Sequence, residues 1–234
     1  MHGIPAARTL LIVALTALVS ACRHHEVTAT TTPTPPVTHT SPSGITIDID
    51  SLNNAQVAPA GTTISVTAKL TDSTKKPLAN AAVSWRINLG KGKLADSVTT
   101  TNAAGITTVK WTLDTLVGAN SMTASISGAE FIVTATGTAG PAAKLVKASP
   151  DTQKVVSSAT VALVARAVDK YGNPVASVPI AWSATSGALA PATATSGPSG
   201  NATVTFTTTA KPSTYTITAT APGLVALTFT VIGL

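Results

Sequence analysis

Histidine and cysteine, the side chains that most often act as nucleophile, general base or zinc ligand, are rare in this chain of 234 residues. The only cysteine is Cys22, and the histidines are His2, His24, His25 and His39. Beyond His39 the chain therefore has no Ser-His or Cys-His pair and no zinc site of the His/Cys type. We predict no catalytic residue, no cofactor site and no metal site, and we expect that the protein is not an enzyme.

Carboxylates are the other candidates for chemistry. Residues 141–234 contain only two acidic residues, Asp151 and Asp169. Asp169 and the similarly placed Asp72 begin turn-like segments, where Asp commonly accepts hydrogen bonds from nearby backbone. A calcium ligand is the alternative interpretation, but Ca²⁺ usually takes six or more oxygens, several of them from carboxylates. We interpret both aspartates as turn residues.

The elements that position these residues come from a duplication. Asp72, Pro77, Ala79 and Trp85 recur 97 residues later as Asp169, Pro174, Ala176 and Trp182, and later matches, such as Gly105 with Gly200, have a spacing of 95. Such self-similarity indicates one structural unit present twice. We place its copies at residues 45–138 and 141–234, joined by a Gly/Pro-bounded hinge at residues 137–141.

Alternating apolar residues predict strands within each copy. Val66, Ala68 and Leu70 alternate with polar residues, and the region around Trp85 has the same pattern. Period-2 alternation indicates strands with one buried face, and turn residues separate the strands throughout. We predict an all-β fold of two tandem β-sandwich domains, with Trp85 and Trp182 in the cores.

The last strand breaks the repeat. At a spacing of 95, Phe131, Val133 and Ala135 face polar or small residues of the second copy. A shift of one residue pairs them with Leu227, Phe229 and Val231, so we predict a one-residue insertion or bulge after Gly223.

These residues resemble the bacterial Ig-like domain of group 1, the module repeated in intimin- and invasin-type surface proteins. The second copy has the fuller pattern, with Val168-Asp169-Lys170-Tyr171-Gly172-Asn173-Pro174-Val175 at the strand-to-turn motif and Gly200-Asn201-Ala202-Thr203-Val204 at a later strand. The first copy diverges at the turn, where it reads Asp72-Ser73-Thr74-Lys75-Lys76-Pro77. The resemblance implies immunoglobulin-like β-sandwiches in a bacterial surface protein.

The N-terminus resembles a lipoprotein signal peptide. Residues 1–21 have a short charged start, an apolar run too short for a membrane span, and then small residues. Leu18-Val19-Ser20-Ala21-Cys22 is similar to a bacterial lipobox, which implies lipidation of Cys22 and a membrane partner through that lipid. An ordinary signal peptide is the alternative. Arg23 after Cys22 favours the outer membrane or cell surface over the inner membrane, by analogy with enterobacterial sorting.

Residues 22–44 are rich in Thr and Pro and lack apolar periodicity, so we predict that they form a disordered stalk after the lipidated cysteine. A tethered pair of non-catalytic modules suggests a structural, spacer or adhesion role with a protein or glycan ligand. A carbohydrate- or peptidoglycan-binding accessory lipoprotein is the alternative, and Tyr171 and Tyr215 are its few candidate aromatic contacts. The net charge of +6 is scattered, so we predict no nucleic-acid partner.

Overall fold

A computed structural model describes residues 37–42, 44–49 and 53–234 of the chain. Every regular element in these residues is a β-strand, which confirms the predicted all-β class. The described part contains no helix long and apolar enough to cross a membrane. The predicted signal peptide, Cys22 and most of the predicted stalk lie outside the described residues.

The first module has ten strands. They are β1 (Val37–Thr40), β2 (Thr46–Ile49), β3 (Gln56–Pro59), β4 (Thr63–Thr71), β5 (Ala82–Leu89), β6 (Lys93–Leu94), β7 (Val98–Thr100), β8 (Ile106–Thr112), β9 (Gly118–Ile126) and β10 (Ala129–Thr138). One sheet has the order β1-β2-β4-β8-β6 and the other β3-β10-β9-β5-β7. Within these sheets β3 runs parallel to β10, and the other paired strands are antiparallel.

The second module repeats this plan. Its strands are β11 (Lys144–Lys147), β12 (Gln153–Val155), β13 (Thr160–Val168), β14 (Pro179–Ala184), β15 (Ala188–Ala190), β16 (Thr193–Thr195), β17 (Asn201–Thr207), β18 (Ser213–Thr220) and β19 (Leu227–Gly233). The two sheets have the orders β11-β13-β17-β15 and β12-β19-β18-β14-β16.

Each module packs its own core between its two sheets, as the alternation predicts. In β4, Val66, Ala68 and Leu70 are fully buried. Trp85 and Trp182 are 3% and 5% exposed, which confirms that they belong to the cores. The buried side chains form one apolar cluster per module. In the second cluster, Phe206 packs against Tyr215 and Trp182 against Phe229.

The predicted one-residue shift is confirmed by the strand register. Phe131 pairs with Ala124 in the first module, and Leu227 pairs with the equivalent Ala219 in the second. A two-residue turn joins β9 to β10, whereas a longer loop joins β18 to β19. The extra residue therefore lies in the loop, and Phe229 and Val231 keep their inward orientation.

One part of the predicted stalk is a strand. Residues 37–40 form β1, which pairs antiparallel with β2 and adds an edge strand that the second module lacks. His39 lies on this strand, with its ring 5.2 Å from the ring of Phe131. The expectation of disorder at these four residues was therefore wrong. The free edge of β2 explains the pairing, because its unpaired backbone groups accept another strand.

Candidate functional site: the joint between the modules

The two aspartate turns have the same pattern of hydrogen bonds. Asp72 Oδ1 accepts from the backbone N–H groups of Thr74 (2.8 Å) and Lys76 (3.0 Å). Asp169 Oδ1 accepts from those of Tyr171 and Asn173, both at 2.9 Å. Both aspartates therefore hold nearby backbone, as the sequence predicts. Positive φ falls on Lys75 (64°) in the first turn and on Gly172 (91°) in the second.

Of the two turns, the second makes hydrogen bonds to the other module. The side-chain amide of Asn173 donates from Nδ2 to Thr115 O (2.8 Å) and accepts at Oδ1 from Val117 N (3.1 Å). One side chain of the second module thus forms hydrogen bonds with both a backbone donor and a backbone acceptor of the first. Asn173 is 3% exposed, so these hydrogen bonds are shielded from water, and losing one partner would leave a buried polar group unsatisfied.

Asp169 holds this arrangement in place. Its Oδ2 accepts from Asn173 Nδ2 (2.9 Å) and from the backbone N–H of Gly140 in the linker (3.1 Å). With the two bonds to Oδ1, four N–H groups occupy the four acceptor positions of the carboxylate. Burial raises the pKa of Asp169, but these hydrogen bonds, above all the one from the Asn173 side chain, hold the pKa below its usual value. The carboxylate has no free lone pair for a calcium ion, which supports its interpretation as a turn residue.

Tyr171 packs against Gly61 of the first module. A Cβ placed on Gly61 would lie 2.4 Å from the phenol oxygen of Tyr171, so any larger residue would collide with the ring. Gly61 also has a φ of +71°, which glycine adopts without strain. Beside this contact lies a cleft of about 390 Å³, lined mainly by apolar residues of both modules and the linker, among them Pro59 and Pro141.

The loop that receives Asn173 is itself held by side chains of the first module. Asp114 Oδ1 accepts from Leu116 N (3.1 Å), and Asp114 Oδ2 accepts from Lys91 N (2.7 Å). Asn120 Oδ1 accepts from Asp114 N (2.9 Å). These bonds lie within the first module, so they hold the loop that carries Thr115 O and Val117 N independently of the second module. The joint therefore meets a preorganised surface.

The linker between the modules is also tied down. Gly137 and Thr138 belong to β10, Thr138 O accepts from Ala60 N (2.8 Å), and Gly140 N donates to Asp169. The sequence predicted a hinge here because glycine and proline cluster at residues 137–141. Hydrogen bonds on both sides restrict this segment instead.

Of the remaining predicted site residues, Tyr215 lies in the core of the second module and Tyr171 belongs to the joint. Cys22 lies outside the described residues. Tyr215, a candidate sugar contact, is fully buried, and its hydroxyl bonds Thr209 and the backbone oxygen of Lys211, as in the tyrosine corner of Ig-like folds. Tyr171 is 38% exposed but is engaged at Gly61.

The described residues contain no group of three or more His, Cys, Asp or Glu side chains placed to hold a metal. The chemistry of the joint is hydrogen bonding and packing between modules. Sequence reasoning missed the roles of Gly61, Val117 and Asn173. A signal was present, because the two copies differ at these positions while they agree in the strands around them.

Comparison with known proteins relates the fold to a family. The family model described as bacterial Ig-like domain (group 1) matches residues 145–232. A comparison of the sequence with curated proteins found no match.

Solved structures include similar folds. The chain is similar to FdeC, an Escherichia coli adhesin, with a TM-score of 0.54, 17% identity, and coverage of 79% of this chain and 65% of that one. It is also similar to the D00-D0 domain of intimin (TM-score 0.45, 17% identity, 80% and 99% covered) and to invasin (0.40, 22%, 81% and 39%). The chain thus spans about two thirds of the FdeC chain and about two fifths of the invasin chain.

The likeness to FdeC agrees with the observed sandwiches, and the family model covers nearly all of the strands β11–β19. Over residues 145–232 the second module is similar to the bacterial Ig-like domain (group 1), whose family model matches it there.

Proposed function

We propose that this protein is a bacterial lipoprotein, anchored by a lipid on Cys22, whose two modules serve as a spacer or adhesion unit and catalyse no reaction. The joint is the observation that carries this proposal. A spacer made of two modules must keep them at a fixed distance and orientation relative to each other. The hydrogen bonds of Asn173 with the first module, and the one that Asp169 accepts from the linker, restrict motion between the modules.

Adhesion rests on the fold of a relative. FdeC is named as an adhesin, and its chain has the same fold over most of the present one. An adhesive surface here would consist of strands, loops or a sheet edge, because strand edges and the grooves beside them are common docking sites for extended segments.

The alternative, an accessory protein that binds carbohydrate or peptidoglycan, has weaker support. Tyr215 is in the core, and Tyr171 contacts the first module. Neither of the tyrosines offers the free, flat ring on which a sugar stacks. A glycan array and a peptidoglycan pull-down on the purified protein test this alternative, and specific retention in either assay would favour it.

The anchor is tested by Cys22→Ser. Two or more acyl chains contribute about 0.8 kcal/mol per buried CH₂ and hold a protein stably on a membrane. We expect the variant to lose stable membrane attachment, whereas the wild type stays in the membrane fraction after washing with high salt. Equal acylation of both proteins, measured by mass spectrometry, would contradict the proposal.

The surface location is tested by protease treatment of intact cells. We expect a surface-displayed protein to be degraded while a periplasmic marker stays intact. Protection in intact cells, with degradation after the outer membrane is opened, would assign the modules to the periplasm.

A further inference from the structure

The joint consists of two complementary parts. We define the docking turn as residues 169–173 of the second module, and the docking surface as Gly61, Thr115 and Val117 of the first. Because the chain is a repeat, each module has a position for both parts. The used and the unused positions differ in the residues that make the joint.

The unused turn, on the first module, lacks the groups that dock. Asp72 matches Asp169, but Thr74 stands where Tyr171 packs and Lys76 where Asn173 bonds. A lysine ammonium only donates hydrogen bonds, so Lys76 has no acceptor for an N–H such as that of Val117. Thr74 has no ring to cover a glycine.

The unused surface, on the second module, has the same backbone layout. Gly61 N donates to Asp114 O (2.7 Å), and at the matching place Ser158 N donates to Thr209 O (3.0 Å). Leu113 N donates to Thr62 O, and Thr208 N to Ala159 O. These matched bonds establish that Ser158 occupies the place of Gly61 and, five residues after Thr207, Pro212 the place of Val117.

Both substitutions close this surface to a docking turn. Ser158 carries a Cβ where, in the first module, such an atom would lie 2.4 Å from the tyrosine oxygen. Proline has no backbone N–H, so Pro212 offers no donor to an asparagine side chain. One obstacle is steric and the other is a missing hydrogen bond, and they are independent of each other.

We propose that the residues at the docking turn and the docking surface determine which modules can form this joint. A module with glycine and a free N–H at the two surface positions accepts a module with an Asp-X-Tyr-Gly-Asn turn. The two unused positions of this chain lack those groups and do not form the same joint with another module or a second copy. This pairing does not depend on the anchor or on the location of the protein.

The test exchanges residues between used and unused positions in the full chain. In the turn exchange, Tyr171→Thr and Asn173→Lys give the second module the residues of the first. In the surface exchange, Gly61→Ser and Val117→Pro give the first module the residues of the second. The matched controls are Thr74→Tyr with Lys76→Asn, and Ser158→Gly with Pro212→Val, which alter only unused positions.

The readout is the distance distribution between spin labels at Ser84→Cys and Ser183→Cys, two exposed positions that each adjoin the core tryptophan of their module, in a Cys22→Ser background purified in detergent. We expect a narrow distribution for the parent and both controls, and its loss in both exchanges. Circular dichroism reports whether each variant keeps its strands. Folded exchange variants that retain the narrow distribution would overturn the proposal, as would broadening in the controls.

The single variants Gly61→Ala and Asn173→Asp separate the two contributions if a double exchange fails to fold. Gly61→Ala adds the colliding Cβ, together with backbone strain at a φ of +71°. Asn173→Asp keeps the size of the side chain but removes the donor to Thr115 O. Each is expected to broaden the distribution. A narrow distribution in both would contradict the pairing.

Discussion

Trp85 Nε1 donates a 2.7 Å hydrogen bond to Thr99 Oγ1. In the second module Ala194 takes the place of Thr99, because Thr99 pairs with Val83 and Ala194 pairs with the equivalent Ile180. Alanine has no hydroxyl to accept the hydrogen bond of the indole. Trp182 Nε1 is buried and finds no acceptor among the described residues. The repeat thus contains one satisfied and one unsatisfied copy of the same contact.

This difference predicts opposite effects of reciprocal substitutions. Thr99→Ala leaves a buried N–H unpaired and should lower the free energy of unfolding of the first module by about 1–3 kcal/mol. Ala194→Thr supplies the missing acceptor and should raise that of the second by about 0.5–1.5 kcal/mol. Calorimetric unfolding of the full chain measures both. A destabilising Ala194→Thr would show that the site has no room for the hydroxyl.

The turns give a second reciprocal pair. Lys75 adopts a φ of 64°, a conformation that costs a residue with a Cβ about 1–2 kcal/mol. Lys75→Gly should therefore stabilise the first module, by up to about 1 kcal/mol after the entropy of glycine is counted. Gly172→Ala should destabilise the second by a similar amount, although a Cβ there would contact nothing within 4 Å. Thermal unfolding distinguishes strain from packing, and a neutral Gly172→Ala would contradict the strain argument.

Acid should loosen the joint. Because hydrogen bonds hold the pKa of Asp169 below its usual value, its contribution is fully present above the unfolded pKa of about 3.9. It is lost as the pH falls through the lower folded pKa. Asp114, whose pKa is lowered by hydrogen bonds from Lys91 and Leu116, acts in the same direction on the loop beside it.

We expect the distance distribution between labelled modules to broaden as the pH falls below about 3.9, the unfolded pKa of aspartate, and through the lower folded pKa of Asp169. Asp72→Asn is the control, because the pKa of Asp72 is also lowered, mainly by the Thr74 hydroxyl, yet its turn does not contact the joint. That variant should keep the acid response. A distribution that stays narrow in acid until circular dichroism shows loss of the strands would contradict a role of Asp169 in holding the modules together.

The buried tyrosine gives a prediction about the second core. Tyr215→Phe keeps the ring against Phe206 but removes the hydroxyl that bonds Thr209 and Lys211 O. We expect a loss of about 1–2 kcal/mol in the unfolding free energy of that module. Tyr171→Phe, which removes a hydroxyl at the joint, is the comparison and should leave the core unaffected. Equal losses in both would argue against a special role for the corner.

Sequence alone predicted the strands because a sandwich imposes a strict period of two on every residue that it buries. Trp85, Trp182 and the one-residue shift before Phe229 followed from that period and from the repeat. Strand β1 did not, since its residues look like the Thr/Pro-rich segment before them and pair only because β2 offers a free edge.

The joint was missed for a different reason. Asp169 and Asn173 are common turn residues, and their local hydrogen bonds would be the same in an isolated module. Their second role depends on which residue lies across the interface. A periodic pattern within one strand carries no information about that neighbour. The contrast between Asn173 and Lys76 was the available clue.

The parallel pairing of β3 with β10 has a mechanical consequence. Both strands run toward the joint, so a load that pulls on the N-terminal side of the first module and on its linker slides them in opposite directions. The hydrogen bonds between them are then strained together in shear and do not open one after another like a zipper. The second module repeats this geometry with β12 and β19, so each sandwich resists stretching along its long axis.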